Sequence, residues 1–133
     1  MTRYRSAIKA VAIGLIGLAA NSAMAAETVA PLMAQDLAGL SGKEGLMLTV
    51  EYAPGASSTK HRHDAHVFVH VLKGSVVMQV EGGKAVTLKP GQTFYESPTD
   101  VHSVSRNASK TQSAKILVFV VKEKGVPPVL PVK

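Results

Sequence analysis

The chain contains no cysteine among its 133 residues. Disulfide staples and thiolate metal ligands are therefore excluded, and any bound metal must take nitrogen and oxygen donors. Aromatic residues make up only 5% of the sequence, and its lysines and arginines form no run. Together these argue against a nucleic-acid surface. A transmembrane helix is excluded as well. The apolar stretch AVAIGLIGLAA (Ala10 to Ala20) falls short of the roughly 20 residues that cross a bilayer.

That stretch has another use. Arg3, Arg5 and Lys9 precede it without an acid, and Ala23-Met24-Ala25 follows it. A basic start, a short apolar middle and an A-x-A end make residues 1–25 a secretory signal peptide, cut after Ala25. The expected location is periplasmic or secreted, with no membrane anchor left after cleavage. Twelve of the fifteen basic residues and all nine acids lie beyond the cut, for a net charge of +3. The remaining chain, Ala26 to Lys133, is one domain's worth.

Residues 26–45 lack a clear period and read as an N-terminal arm or edge segment. From Leu46 the pattern is β. LMLTVEYAP, VFVHVL, SVVMQV, AVTL, QTFYES, VHSVS and KILVFVVKE are strand-like, with Pro54-Gly55, Gly82-Gly83 and Pro90-Gly91 as turns. No helical period competes with them. The pattern predicts an all-β sandwich or barrel over residues 46–123, of a size that suits a jelly roll. Residues 124–133, KGVPPVLPVK, are a Pro-rich tail, extended along an edge or free.

Four of the five histidines crowd into HRHDAHVFVH (His61 to His70), and the fifth is His102. His61 and His63 flank one residue, so on a strand both rings face the same side, their Cα atoms about 7 Å apart. Two imidazoles so placed can share one cation at about 2.0–2.2 Å. Arg62, between them, points the other way. A lone H-x-H also occurs in ordinary polar loops.

The surroundings of the pair decide the matter. Gly55-ASSTK-HRH-DAHVFVHVLK-Gly74 resembles the first motif of the cupin superfamily: glycine, five residues, H-x-H, three or four residues, Glu, six residues, glycine. Gly91-QTFYESPTDV-His102 resembles the second, and VLKGSVVMQVEGG and VTLKPGQTFYESP are similar to small single-domain bacterial cupins. The resemblance implies a jelly-roll β-barrel, a homodimer, and a metal site in the barrel mouth. By position the implied ligands are His61, His63, residue 67 and His102.

Residue 67 is valine, so the usual glutamate is missing. His66 is a substitute only if a bulge or loop at Asp64-Ala65 turns it inward; on a regular strand it faces away from Val67. The other option is a three-histidine site completed by water. His70 shares the parity of His66 and is assigned to the outside or to a dimer interface. In the second motif Ser97, Thr99 and Arg106 replace proline, glycine and asparagine, with Asn107 next door. Gln79 sits among apolar neighbours, where a buried amide needs partners. Glu96 is either a catalytic acid or base beside the metal or an exposed strand end.

The resemblance implies one divalent transition metal (iron, zinc, copper, nickel or manganese) and a small-molecule ligand. The expected function is metal-dependent oxygenation or isomerisation of a small organic molecule. The alternative is a non-catalytic periplasmic protein that binds a metal or small ligand.

Overall fold

A computed structural model describes residues 26–133, and the proposed signal peptide lies outside them. Every regular element described is a strand. No helix among these residues is long and apolar enough to cross a membrane. The strands are β1 (Glu27–Asp36), β2 (Lys43–Tyr52), β3 (His61–Arg62), β4 (His66–Lys73), β5 (Val76–Val80), β6 (Val86–Leu88), β7 (Thr93–Glu96), β8 (Val101–Asn107), β9 (Ala114–Glu123) and β10 (Leu130–Pro131). They form two antiparallel sheets, in the orders β1-β2-β9-β4-β7 and β10-β3-β8-β5-β6. The architecture is the all-β jelly roll expected from the sequence.

Period-two patterning sets the core. In β4 the valines at 67, 69 and 71 are buried, while His66, Phe68 and His70 face out. In β9, Ala114, Ile116, Val118 and Val120 turn inward, opposite Leu48, Val50 and Tyr52 of β2 in the same sheet. Val76 and Met78 of β5 supply the other wall. One face of each sheet is thereby removed from water, the main drive for two-layer packing.

Residues 27–36 form an edge strand along β2, with a register shift between Pro31 and Met33. All ten residues are exposed, and Pro31 interrupts the run, so no alternation marked this strand in the sequence. The tail also finds an edge: Leu130 and Pro131 pair with Arg62 and His61.

Two local devices fix the histidine segments. Asp64 adopts a left-handed conformation (φ 48°) and carries the chain from β3 into β4, that is, from one sheet to the other. Asp tolerates this conformation better than most residues. In β8 a bulge gives one extra residue, Ser103, because Gln79 pairs with Val104 and Val80 with His102. His102 and Asn107 are an odd number apart, yet both are buried. The bulge also accounts for the asparagine standing one place late. The Asn107 amide donates to the carbonyls of Tyr52, Ala53 and Gln112, tying three segments together.

Candidate metal centre

The two sheets enclose a cavity of about 130 Å³. His61 on β3, His63 just after it and His102 on β8 meet there, with β3 and β8 paired so that His61 stands opposite His102. Their rings lie 4.8 Å (His61–His63) and 5.0 Å (His61–His102) apart. One ligand atom from each lies within 4.8 Å of the other two. The histidines separated in sequence are thus joined in space.

Each ring is oriented from behind. The Nδ1–H of His61 donates to the Thr59 carbonyl at 2.7 Å, and that of His63 to the Pro128 carbonyl at 2.6 Å. His102 Nδ1 lies 3.1 Å from Glu96 Oε1. With Nδ1 so used, all three rings keep Nε2 as the free donor atom. Outer-shell partners of this kind fix the tautomer and direction of metal-ligating imidazoles. Phe94 stacks on His102 at 6.0 Å and limits its rotation.

Glu96 is not an exposed strand end. It is 1% exposed, at the inward-facing end of β7, and pairs across the sheet with Val67. Burial alone would raise its pKa, but the His102 and His63 rings beside it outweigh that and hold it at about 2. Burial lowers the pKa of His61, against smaller opposing effects. Burial also acts to lower that of His63, but Glu96 and the Pro128 carbonyl raise it above the usual imidazole value.

Among the described residues, two buried side-chain polar atoms lack a hydrogen-bond partner: Glu96 Oε2 and His102 Nε2. Unpaired buried polar atoms are costly, and an ion is one standard reason for them. Glu96 Oε2 is 3.4 Å from His63 Nε2, so both orphans belong to this cluster. Three neutral-capable imidazoles and one carboxylate are a nitrogen-rich donor set that suits a divalent transition metal.

His66 does not join the cluster. Its strand begins in register with Val67 inward, so His66 is exposed and its Nδ1 meets the Tyr95 hydroxyl at 2.7 Å. The turn at Asp64 changes sheets without inverting that parity. His70 is exposed too. Arg62 points away and pairs with Asp64. Gln79 donates to the Gly83 carbonyl at the hairpin, outside the cavity. Nothing in the residue types marks the Thr59 and Pro128 carbonyls, because any residue type supplies a carbonyl.

The cupin domain family matches residues 48–120, so the chain belongs to the cupin family. A curated relative, the pectin degradation protein KdgF of Dickeya dadantii (strain 3937), is 35% identical over 60 residues. That alignment covers 44% of this chain and 54% of KdgF, so the chain spans about half of that relative. Solved structures share the fold. An oxalate oxidase in complex with the substrate analogue glycolate has a TM-score of 0.59 at 24% identity, covering 78% of this chain and 54% of the oxidase. The DMSP lyase DddQ from Ruegeria pomeroyi DSS-3 has a TM-score of 0.57 at 22% identity, covering 65% and 42%. The cupin domain of an XRE family transcriptional regulator from Enterobacter cloacae has a TM-score of 0.54 at 24% identity, covering 71% and 94%.

Proposed function

We propose that this chain is an exported cupin that holds one divalent transition metal (iron, zinc, copper, nickel or manganese) on His61, His63 and His102 and uses it on a small organic molecule in the adjoining cavity. The observation that carries this reading is the pair of buried orphans, Glu96 Oε2 and His102 Nε2, facing a cluster whose other rings are already oriented. Such a metal, when bound, supplies Lewis-acid or redox activation of a coordinated oxygen group. Glu96 has two tasks. Oε1 holds His102 in its tautomer, and Oε2 stands as the fourth ligand in place of the carboxylate that Val67 lacks. The apolar walls, among them Val50, Val69, Met78 and Val118, exclude water around the ligand. Oxygenation and isomerisation are the reaction classes this arrangement suits. The relatives' names (pectin degradation, DMSP lyase, oxalate oxidase) support a small organic molecule as the ligand.

One observation favours a second reading, a binding protein without turnover. Glu96 is the carboxylate closest to the cluster, and a group held at about 2 is a weak base at neutral pH. The N-terminal pattern around Arg3, Ala10–Ala20 and Ala25 supports export to the periplasm or beyond, with Ala26 as the new N-terminus. The outer face of β4, β7 and β9 supports a homodimer: Phe68, Tyr95 and Phe119 cluster there, with Phe68 and Tyr95 nearly half exposed.

Elemental mass spectrometry of the purified protein beside a His61→Ala/His102→Ala variant tests the metal site. Near-stoichiometric metal lost in the variant is expected. A wild type that stays empty after reconstitution would sink the reading. Metal-dependent oxygen uptake or substrate loss then separates enzyme from binder.

A further inference from the structure

The cavity has a second polar region, formed by Tyr52, Ser58, Ser105 and Glu27. Tyr52 ends β2, and its hydroxyl lies 2.7 Å from Ser105 Oγ on β8 and 3.0 Å from Ser58 Oγ in the following loop. Ser58 Oγ in turn donates to the carboxylate of Glu27, an exposed residue at the start of β1. The backbone N–H of Ser58 donates to the Ser105 carbonyl at 2.9 Å, which keeps the loop against β8. Four residues from both sheets thus form one continuous chain of oxygens.

Proton counting gives this chain a direction. A hydroxyl has one hydrogen to donate, and an ionised carboxylate has none. The hydrogen of Ser58 goes to Glu27. The contact between Tyr52 and Ser58 must then be donated by the phenol. That uses the phenol's only hydrogen, so Ser105 must donate to Tyr52. Every hydrogen points outward, toward Glu27. What Ser105 Oγ and Tyr52 Oη have left for a ligand in the cavity is lone pairs. Burial, the largest influence on Tyr52, raises its pKa and keeps the phenol protonated.

We propose that Ser105 and Tyr52 form an acceptor-only subsite, polarised by Glu27, that selects a ligand bearing a hydroxyl or amine hydrogen at the end remote from the metal. It rests on the metal reading only for where the ligand's other end sits. The β8 bulge makes the two-ended geometry possible. Ser105 lies three positions after His102, which on a regular strand would put them on opposite faces. With Ser103 extra, both are buried on the inner face, opposite Val80 and Met78 of β5 and so roughly 7 Å apart along the strand. Between them the walls are aliphatic, and among the described residues no lysine or arginine lines the cavity. A second anionic group would therefore meet no countercharge. The ligand class is a small molecule with one metal-binding oxygen group, an apolar middle and a hydroxyl or amine donor. An analogue that replaces the donor with a carbonyl would set lone pair against lone pair in a buried site.

Two measurements test this. The first is calorimetric titration of the zinc-loaded protein with 4-hydroxypentanoate and 4-oxopentanoate, which share a carboxylate and differ in donor against acceptor. The hydroxy acid is expected to bind at least about tenfold more tightly. Glu27→Gln places an amide N–H beside Ser58, lets the chain reverse, and should bring the two affinities within about threefold. Tyr52→Phe frees the Ser105 hydroxyl to donate and should narrow the gap similarly. Equal affinities in the wild type, or binding of neither acid by protein that holds zinc, would overturn the proposal. The second is neutron diffraction from the metal-free, deuterated protein. Deuterium on Ser105 directed at Tyr52, and on Tyr52 at Ser58, is expected. Deuterium on Ser105 directed into the cavity would overturn it. Failure to load zinc would count against the metal site alone, because the neutron result decides the hydroxyl direction without it.

Discussion

Val67 and Glu96 stand directly opposite one another on β4 and β7, both turned into the cavity. The first cupin motif expects a carboxylate at position 67, and the facing residue one strand away carries one here. Cβ atoms of such a pair are roughly 4.5–5.5 Å apart, so a glutamate on either strand reaches the same space. Glu96→Val should reduce metal affinity by about 10- to 100-fold, the usual effect of removing a ligand or its orienting partner. The double variant Val67→Glu/Glu96→Val should recover most of it. Competitive chelator titration measures both. No recovery in a folded double variant would mean that the carboxylate serves His102 alone.

Removal of residues 127–133 takes away the Pro128 carbonyl that orients His63, together with β10. The ring then loses its fixed tautomer. Metal affinity should fall by about tenfold or more while the strand signal in circular dichroism persists. Unchanged affinity would show that His63 needs no such support.

Metal uptake should depend on pH through His63. Its folded pKa lies above 6.5, raised by Glu96 and the Pro128 carbonyl against the effect of burial. A protonated ring binds no metal, so affinity should weaken as pH falls through that raised value, and uptake near neutral pH should release protons. Calorimetry in buffers of different ionisation enthalpy counts them. Glu96 shapes stability in acid instead. Its pKa is depressed from 4.5 to about 2, so its contribution is complete above 4.5 and is lost as pH falls toward 2. Metal-free Glu96→Gln should show a flatter melting profile across that interval.

Gly74 closes the first motif for a steric reason. It has a φ of 68°, and a Cβ there would lie 2.6 Å from the Ser113 carbonyl oxygen and 2.9 Å from Ala114 Cα. Those are backbone atoms packed against the β4–β5 turn, with little room to yield. Gly74→Ala should cost about 1–3 kcal/mol or more in denaturant unfolding. Gly55→Ala, with a similar φ of 75° but open space around it, should cost less.

The aromatic cluster on the outer sheet face gives a prediction about assembly. Phe68 lies 5.2 Å from Tyr95 and 6.2 Å from Phe119, ring centre to ring centre. A homodimer through this face should dissociate in Phe68→Asp, which buries a charge in the interface. Light scattering after gel filtration reads the mass. A wild-type monomer at micromolar concentration would contradict the dimer.

Much of this architecture was legible in the residues. The alternating valines of β4 and β9 and the glycine punctuation marked the β core, and H-x-H with His102 marked the cluster. What escaped has physical reasons. His66 faces out as a regular strand requires, and only the inward alternative, which needed a bulge at Asp64-Ala65, depended on backbone dihedrals. Glu96 carried no mark of burial, because a carboxylate before Ser-Pro looks the same exposed or enclosed. Its pairing with Val67 is a register fact, and register across the 28 intervening residues is set by tertiary packing. The edge strand Glu27–Asp36 lacks alternation because neither face is buried.

The most direct test of the central claim is anomalous diffraction at the metal edge from crystals of the reconstituted protein. The account predicts one peak bonded to Nε2 of His61, His63 and His102 and to Glu96 Oε2. No peak in the cavity, or a peak held by His66 and Tyr95 on the outer face, would contradict it.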